Sequence, residues 1–363
     1  MTGIADAAGT TPEQADAERS AVAMERRIAE VRRDRDSARE ALKRAVGERD
    51  AAMVQLGLVS AIADLNPTPP KWLTSKAKTG HHATVTTILS DSHFDEVVNP
   101  AEVGGVNSYN RDIATMRLKR YYDQVCVIAR DYMAGVTIDG CVAMLGGDML
   151  SGDIHEELKE SNEDTTLGSV LYWSELLSAG IGQLADEFGK VHVPVVVGNH
   201  GRRTRKPRMK GRARDNFDWL IGQLVAREFR NDDRVTFDIP DAAHIHFDIY
   251  GTTYRLEHGD SAKGGGGWIG ATGPVMRRHQ KISTATAAMD QPFDHLVVGH
   301  WHTQVWGAGF TINGSSKGMD EFAAILGLGY EVPQQAMWLT TPEHGITMQA
   351  PVFVSDPKAE GWK

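Results

Sequence analysis

Five short apolar runs, at residues 83–89, 141–145, 192–197, 254–257 and 295–298, each end on residues able to bind a metal. The first leads into Asp91-Ser92-His93, the second into Gly146-Gly147-Asp148 and the third into Gly198-Asn199-His200. The fourth leads into His258-Gly259-Asp260 and the fifth into Gly299-His300-Trp301-His302. Runs of this length read as buried β-strands. Between several of them lie helical patterns, such as Ile113, Met116, Tyr121, Val125, Ile128 and Tyr132. Strand–helix alternation over roughly 270 residues predicts an α/β domain. Side chains that follow strand ends in such a domain gather at one edge of the sheet, where ligands bind. The pattern therefore predicts one site built from five distant places.

Taken singly these signals are weak, because most histidines in a chain are hydrogen-bonded core or surface residues. Their strength is in the repetition of strand, small residue and ligand. Nitrogen and oxygen donors without thiolate favour borderline divalent ions such as Mn²⁺, Fe²⁺ or Zn²⁺ over Ca²⁺. The glycines at 146, 198 and 299 suit tight turns and close backbone approach after each strand.

The order D-x-H, G-D, G-N-H, H, G-H-x-H over roughly residues 83–310 resembles the calcineurin-like metallophosphoesterase superfamily. The resemblance implies an α/β sandwich of two mixed β-sheets packed face to face with helices outside. It implies two divalent metal ions, manganese first, with iron, zinc or nickel as alternatives. Asp91, His93 and His302 correspond to ligands of the first metal; Asn199, His258 and His300 correspond to ligands of the second. Asp148 corresponds to the carboxylate shared by both, and His200 to the catalytic histidine that contacts substrate phosphate. Two departures stand out. Gly201 occupies the place after the G-N-H histidine where family members commonly carry an acid, and Asp153 is displaced from the family's usual second acid and is not counted as a ligand.

Eight basic residues fall within residues 202–214, with no acid before Asp215. Such runs are commonly solvated loops, but this one is covalently next to His200. Arg202, Arg203 and Arg205 are therefore expected to bind substrate phosphate, since guanidinium matches phosphate oxygens bidentately. The expected function is phosphodiester hydrolysis on nucleic acid, a DNA nuclease closest in kind to the SbcD-type repair nucleases, in a layout compatible with a bacteriophage member. Two rivals stay open: a phosphoesterase for cyclic nucleotides or phosphomonoesters, and a non-catalytic metal-binding scaffold.

The remainder of the chain is expected to support that domain. Residues 1–65 read as a helical arm, with Thr11 as N-cap, Pro12 in the first turn and a weak heptad seam through Ile28, Leu42 and Leu56. That arm either pairs as a coiled coil with a partner helix or a second copy, or lies on its own domain. Residues 66–80 read as a Pro-rich linker and residues 81–363 as the catalytic domain. The two cysteines, Cys126 and Cys141, lie in apolar settings and read as buried thiols. No apolar run is long enough to span a membrane, and the N-terminus lacks a signal-peptide pattern, so a cytoplasmic location is expected (host cytoplasm for a phage protein). A net charge of −9 argues against coating nucleic acid by bulk electrostatics, though not against a local basic groove. Residues 261–291 read either as a lid or as an ordinary connection, and Trp301 as packing or base stacking. The remaining histidines, His155 among them, read as structural or surface residues.

Overall fold

The computed structural model of the chain describes residues 70–74, 81–264 and 270–361, together with residues 27, 33 and 37. Apart from those three positions, which are helical and exposed, the expected helical arm lies outside the described residues. Within the segment read as a linker, Lys71–Thr74 form a helical turn, α1. Its Leu73 is fully buried, and its carbonyl accepts the Tyr250 N–H at 3.2 Å. The prolines gave no sign of this, since one apolar side chain is what seats the turn.

Two mixed sheets form the frame. In the first, four parallel strands, β1 (His82–Leu89), β2 (Thr137–Leu145), β3 (Val191–Pro194) and β4 (Val235–Asp238), lie side by side. The antiparallel strands β10 (Gln334–Thr341) and β11 (Gly345–Phe353) extend that sheet beyond β1. The second sheet is ordered β5 (His244–Ile249), β6 (Thr252–Glu257), β7 (His295–Val298), β9 (Phe310–Ile312) and β8 (Val305–Gly307). Ile88, Val142, Met144 and Trp338 of the first sheet share one buried cluster with Phe247, Tyr254, Leu256 and Val297 of the second. This is face-to-face packing of the kind expected from the sequence, and each such side chain contributes roughly 1.5–3 kcal/mol when fully buried. Helix Thr272–Ala287 covers the outer face of the second sheet through Val275 and Ile282, which pack with Leu296, Val298, Phe310 and Ile312.

The five apolar runs all become strand; the fifth keeps its bounds, and the first, second and fourth begin earlier. The third stops at Pro194, and Val195–Val197 continue as a buried segment tied to Leu145 by an isolated bridge. The helix through Ile113 spans Arg111–Val127 and closes in a π-turn, Ile128–Tyr132. An extra residue in that turn moves the following side chain off the buried face. Tyr132 is accordingly 79% exposed, although its spacing from Ile128 suggested burial.

One buried ion pair ties this frame to the site edge. Arg117 is completely enclosed, donates to the carbonyls of Ser316 and Lys317 at 2.9 and 2.6 Å, and pairs with Glu360 at 2.7 Å. Glu360 lies in the short C-terminal helix Pro357–Glu360. The last described helix and the turn at 315–317 are thus held through a single guanidinium. Removing one partner of a buried pair leaves an uncompensated charge, so Arg117→Leu is expected to lower unfolding free energy by about 3–5 kcal/mol. Urea denaturation of the variant measures this; a shift within about 0.5 kcal/mol, ordinary for surface substitutions, would show that the pair is not structural.

Candidate metal centre

Each strand end delivers its side chain through a backbone that ordinary residues avoid. Among the described residues eight non-glycine residues have positive φ, and five of these are Asp91, His93, Asp148, His300 and His302. Left-handed backbone costs such residues roughly 1–3 kcal/mol each and persists only where surrounding contacts enforce it. The enforcing contacts are present. Asp218, fully enclosed, accepts the N–H groups of Asp148, Met149 and Gly198 at 3.0, 3.1 and 2.8 Å, joining the loops after β2 and β3. Asp91 is clasped from the other side: the His300 N–H donates to both its oxygens at 2.9 and 3.0 Å, and Ser315 Oγ donates to its carbonyl at 2.7 Å. Ser90 Oγ donates to Asp91 Oδ2 and itself accepts from Asn313 Nδ2 at 2.8 Å.

The glycines are needed for proximity. A Cβ on Gly198 would lie 2.1 Å from Asp148 Oδ1, and one on Gly299 would lie 2.3 Å from Asp91 Oδ2. Gly201 is explained in the same way, since a Cβ there would meet Asn216 Oδ1 at 2.4 Å. The acid expected after the G-N-H histidine has no room. Its orienting role passes to a carbonyl: His200 Nδ1 lies 2.9 Å from Ser151 O, which makes Nδ1 the protonated donor and leaves Nε2 for substrate.

The predicted ligands converge. Asp91, His93 and His302 form one group whose candidate ligand atoms lie within 4.8 Å of one another; Asp148, His258 and His300 form a second. Asp148 also groups with His93 and His200, so its carboxylate stands between the two sets. Asn199, beside Gly198, has a buried Oδ1 without a hydrogen-bond partner. Two ring nitrogens, His93 Nε2 and His302 Nε2, face each other at 3.1 Å. His258 Nε2 lies 2.9 Å from Asp148 Oδ2, yet is not aligned for a hydrogen bond. Its other nitrogen, Nδ1, donates to Gly146 O at 2.9 Å, which aims Nε2 at the cluster. An orphaned amide oxygen and nitrogens directed at one another or at a carboxylate are the arrangement that a divalent cation resolves. The residues present therefore fit a pair of such cations.

Electrostatics point the same way. Burial opposes charge on both Asp148 and His258, but each is the other's counter-ion. The Asp148 carboxyl is held well below its ordinary range, and His258 is pushed up to about 10. His93 is driven well below the usual imidazole range, by burial first and then by Lys317, His200 and His302. Burial and then the charge of Asp148 raise Asp218 to about 6.

The arginines are placed unequally. Arg202 spends its guanidinium on its own loop, donating to the carbonyls of Asn199, Thr204 and Arg205 at 2.6, 2.9 and 3.2 Å. The guanidinium expected at substrate phosphate is thus engaged with its own loop in this structure. Arg203 and Arg205 are exposed and reach Asp215 and Glu156 at 3.3 and 3.7 Å. Trp301 packs on the cluster beneath helix Thr272–Ala287, the packing reading of that residue. Sequence reasoning missed Asp218, Asn216, Ser90, Glu96 and Lys317. Asp218 offered only an Asn-x-Asp helix start as a signal.

Two outcomes test this centre. Asp218→Asn keeps one acceptor oxygen for three N–H donors, and outer-shell losses of this kind cost about 10–100-fold in metal affinity. Calorimetric titration with Mn²⁺ would show that weakening; unchanged affinity would remove Asp218 from the scaffold. Because His258 carries a proton below about 10 in the metal-free protein, a cation must displace it. Mn²⁺ binding at pH 7.5 should release about one proton, with affinity rising as pH rises. Binding enthalpies identical in buffers of different ionisation enthalpy would contradict this.

Among the described residues, no helix is long and apolar enough to cross a membrane. The chain matches no protein-family model, and no curated protein matches it. Several solved structures are similar to it. A conserved uncharacterized protein from Streptococcus pneumoniae, described as a predicted phosphoesterase, is 13% identical, with 74% of this chain and 98% of that chain covered and a TM-score of 0.29. Vacuolar Protein Sorting 29 from Cryptosporidium parvum is 11% identical, with 74% and 97% covered and a TM-score of 0.30. Phosphopantetheinyl hydrolase from Mycobacterium tuberculosis is 13% identical, with 64% and 90% covered and a TM-score of 0.27.

Proposed function

We propose that this chain is a two-metal phosphodiester hydrolase acting on nucleic acid, with DNA as the substrate class. One observation carries the reading: Asp91, His93 and His302 group together, and Asp148 groups with His93 and His200 on one side and with His258 and His300 on the other. Asp91, His93 and His302 would hold one cation and Asn199, His258 and His300 the other, with Asp148 common to both. Two divalent cations, when bound, supply positive charge for phosphoryl oxygens and a means of deprotonating water near neutral pH.

The protein's own groups do the rest. His200, its Nδ1–H fixed on Ser151 O, would donate from Nε2 to a phosphoryl oxygen in its doubly protonated form, a contact that gains strength as charge develops there. The Asp218 carboxylate keeps the loops after β2 and β3 from moving apart. Burial of Asp91, Asp148 and His258 excludes bulk water and strengthens the electrostatics of the pocket. Nucleic acid is favoured as substrate by the exposed cations Arg203, Arg205, Lys206, Arg208 and Lys210, which follow His200 directly.

A second reading has one observation in its favour. Acids answer many of those cations: Asp215 meets Arg203 and Arg208, Glu156 meets Arg205, Asp260 meets Arg212 and Asp241 meets Arg214. A loop neutralised in this way suits a small phosphoester as well as a polymer. The more exposed pairs of Arg203, Arg205 and Arg208 are worth at most about 1 kcal/mol each, so incoming phosphates can displace them, and the polymer reading stands first.

DNA, RNA, a 2′,3′-cyclic nucleotide and an aryl phosphodiester, each offered with Mn²⁺, separate the two. The proposal expects turnover of DNA and at least about a hundredfold loss in Asp148→Ala, because both cations lose their common anchor. Undiminished turnover in that variant would defeat the hydrolase reading. Replacing Arg203 and Arg205 by Ala should weaken binding to polynucleotide more than to the aryl diester; equal effects would favour the small-molecule substrate.

A further inference from the structure

His155 lies outside the ligand pattern, and its sequence context suggested only a surface residue. Its ring stands 6.0 Å from that of His200, which stands 4.4 Å from that of His93. Exposure rises along this series: His93 is buried, His200 partly buried and His155 exposed. The three imidazoles thus step from the metal cluster to the mouth of the site. Among the described residues the His155 side chain makes no hydrogen bond or ion pair. It occupies the N-cap position of helix Glu156–Ser161 without making a side-chain cap bond. An imidazole held beside a catalytic one, and not used by the fold, is available to a ligand.

The loop that presents it is built, not free. Ser151 N–H donates to Phe94 O at 3.0 Å, and the same residue's carbonyl fixes His200. Gly152 has φ +73°, and a Cβ there would lie 2.2 Å from His200 O. Asn162 Nδ2 donates to Gly152 O at 2.7 Å, bringing the far end of the short helix back onto the loop. One segment therefore sets the tautomer of His200 and the place of His155. The neighbouring Glu156 meets Arg205 at 3.7 Å, so the segment also faces the basic loop.

We infer that His155 is a further catalytic residue, the general acid that protonates the leaving oxygen of the phosphoester. This rests on the hydrolase reading above. In an in-line displacement the entering and leaving oxygens lie on opposite sides of phosphorus. With water entering from the ligand cluster, the leaving oxygen departs toward the mouth, where His155 stands beyond His200. Oxygen of water bonds to phosphorus, one of its protons passing to solvent, and the ester P–O bond breaks with its electron pair on the leaving oxygen. The protonated imidazole of His155 gives that oxygen its proton and is then reprotonated by solvent. His200 is left to hold a phosphoryl oxygen.

A general acid matters in proportion to the basicity of what it protonates. The full chain with Mn²⁺ is offered two diesters of one nucleotide, a nitrophenyl ester with an acidic leaving group and a dinucleotide with an alkoxide leaving group. For His155→Gln, kcat on the dinucleotide should fall by about 100-fold, within the range for lost acid–base catalysis, and by less than about threefold on the nitrophenyl ester. Mn²⁺ stoichiometry by calorimetry and the unfolding midpoint should stay as in the wild type. Equal losses on both esters, no loss on either, or loss of a bound Mn²⁺ would overturn the assignment while leaving the hydrolase reading intact. A wild-type protein inert toward both esters would overturn the hydrolase reading, and this inference with it.

Discussion

Asp148 is a carboxylate taken almost completely out of water, and the organisation of the site follows from what is needed to keep it charged. Its compensations are few and specific: the imidazole of His258 at 2.9 Å on one oxygen and the His200 N–H at 2.7 Å on the other. An isolated buried carboxylate would neutralise by taking up a proton. Here its acidity is instead strengthened, because histidines surround it, and the price is a cluster of imidazoles forced close together in a dry pocket. His93 and His300 respond by losing proton affinity, His300 down to about 4, chiefly through burial. Neutral imidazoles beside ionised carboxylates are the protonation states that cation binding requires. Burial thus keeps His93 and His300 neutral, while the neighbouring His258 keeps Asp148 ionised against burial, so an arriving cation would have to displace only the His258 proton.

Such a pocket conflicts with local backbone preference, and the conflict explains the unusual density of polar groups behind it. Five ligand residues sit at positive φ, a conformation that their own side chains disfavour. Asp218, Ser90, Asn313, Ser315 and Gln335 form an outer layer whose bonds go mostly to the backbone of those same turns. Behind them Lys317, fully enclosed, donates to Glu96 at 2.9 Å and also to Asp320, while Glu96 Oε2 lies 3.6 Å from His93 Nδ1. Arg117 then holds the carbonyls of the turn that carries Lys317. Each layer satisfies the one in front of it. A partly satisfied buried network is worse than none, which is why the layers reach as far as the C-terminal helix before they meet solvent.

Much of this centre was legible in the sequence because metal ligation demands particular side chains at strand ends, and both features show as local patterns. The seven candidate ligand positions needed nothing more than an apolar run, a small residue and a donor. The outer layer could not be read so easily. Asp218 lies 70 positions from the backbone of Asp148 that it supports, and Gln335 lies 245 from the Ser90 N–H it accepts. Ser, Asn, Gln and Asp at such places look like ordinary turn and cap residues. Strands β8 and β9 are three residues each and carry too little periodicity to be seen. The contacts of Arg202 were hidden from the sequence for a related reason. A run of positive charge is visible in sequence, but whether a guanidinium faces solvent or its own carbonyls depends on how the loop closes.

That closure bears on how, on the proposed reading, the site would meet a polymer. The loop after His200 is anchored at its root by Arg202 and by the Phe217 N–H, which donates to Gly201 O at 2.7 Å. It is anchored again where Arg212 grips Asp260 with bonds of 2.9 and 2.7 Å. Between these anchors Arg203, Lys206, Arg208 and Lys210 project from a segment held at both ends. Ordering a free chain on binding costs about 1–2 kcal/mol per residue, and a segment already closed has met part of that cost in folding. Asp260 is two residues from His258, so the far anchor belongs to the same strand end as a metal ligand. The exposed cations are therefore positioned relative to the cluster by the fold itself; on the proposed reading, a backbone of regularly spaced phosphates would require such a surface to track it.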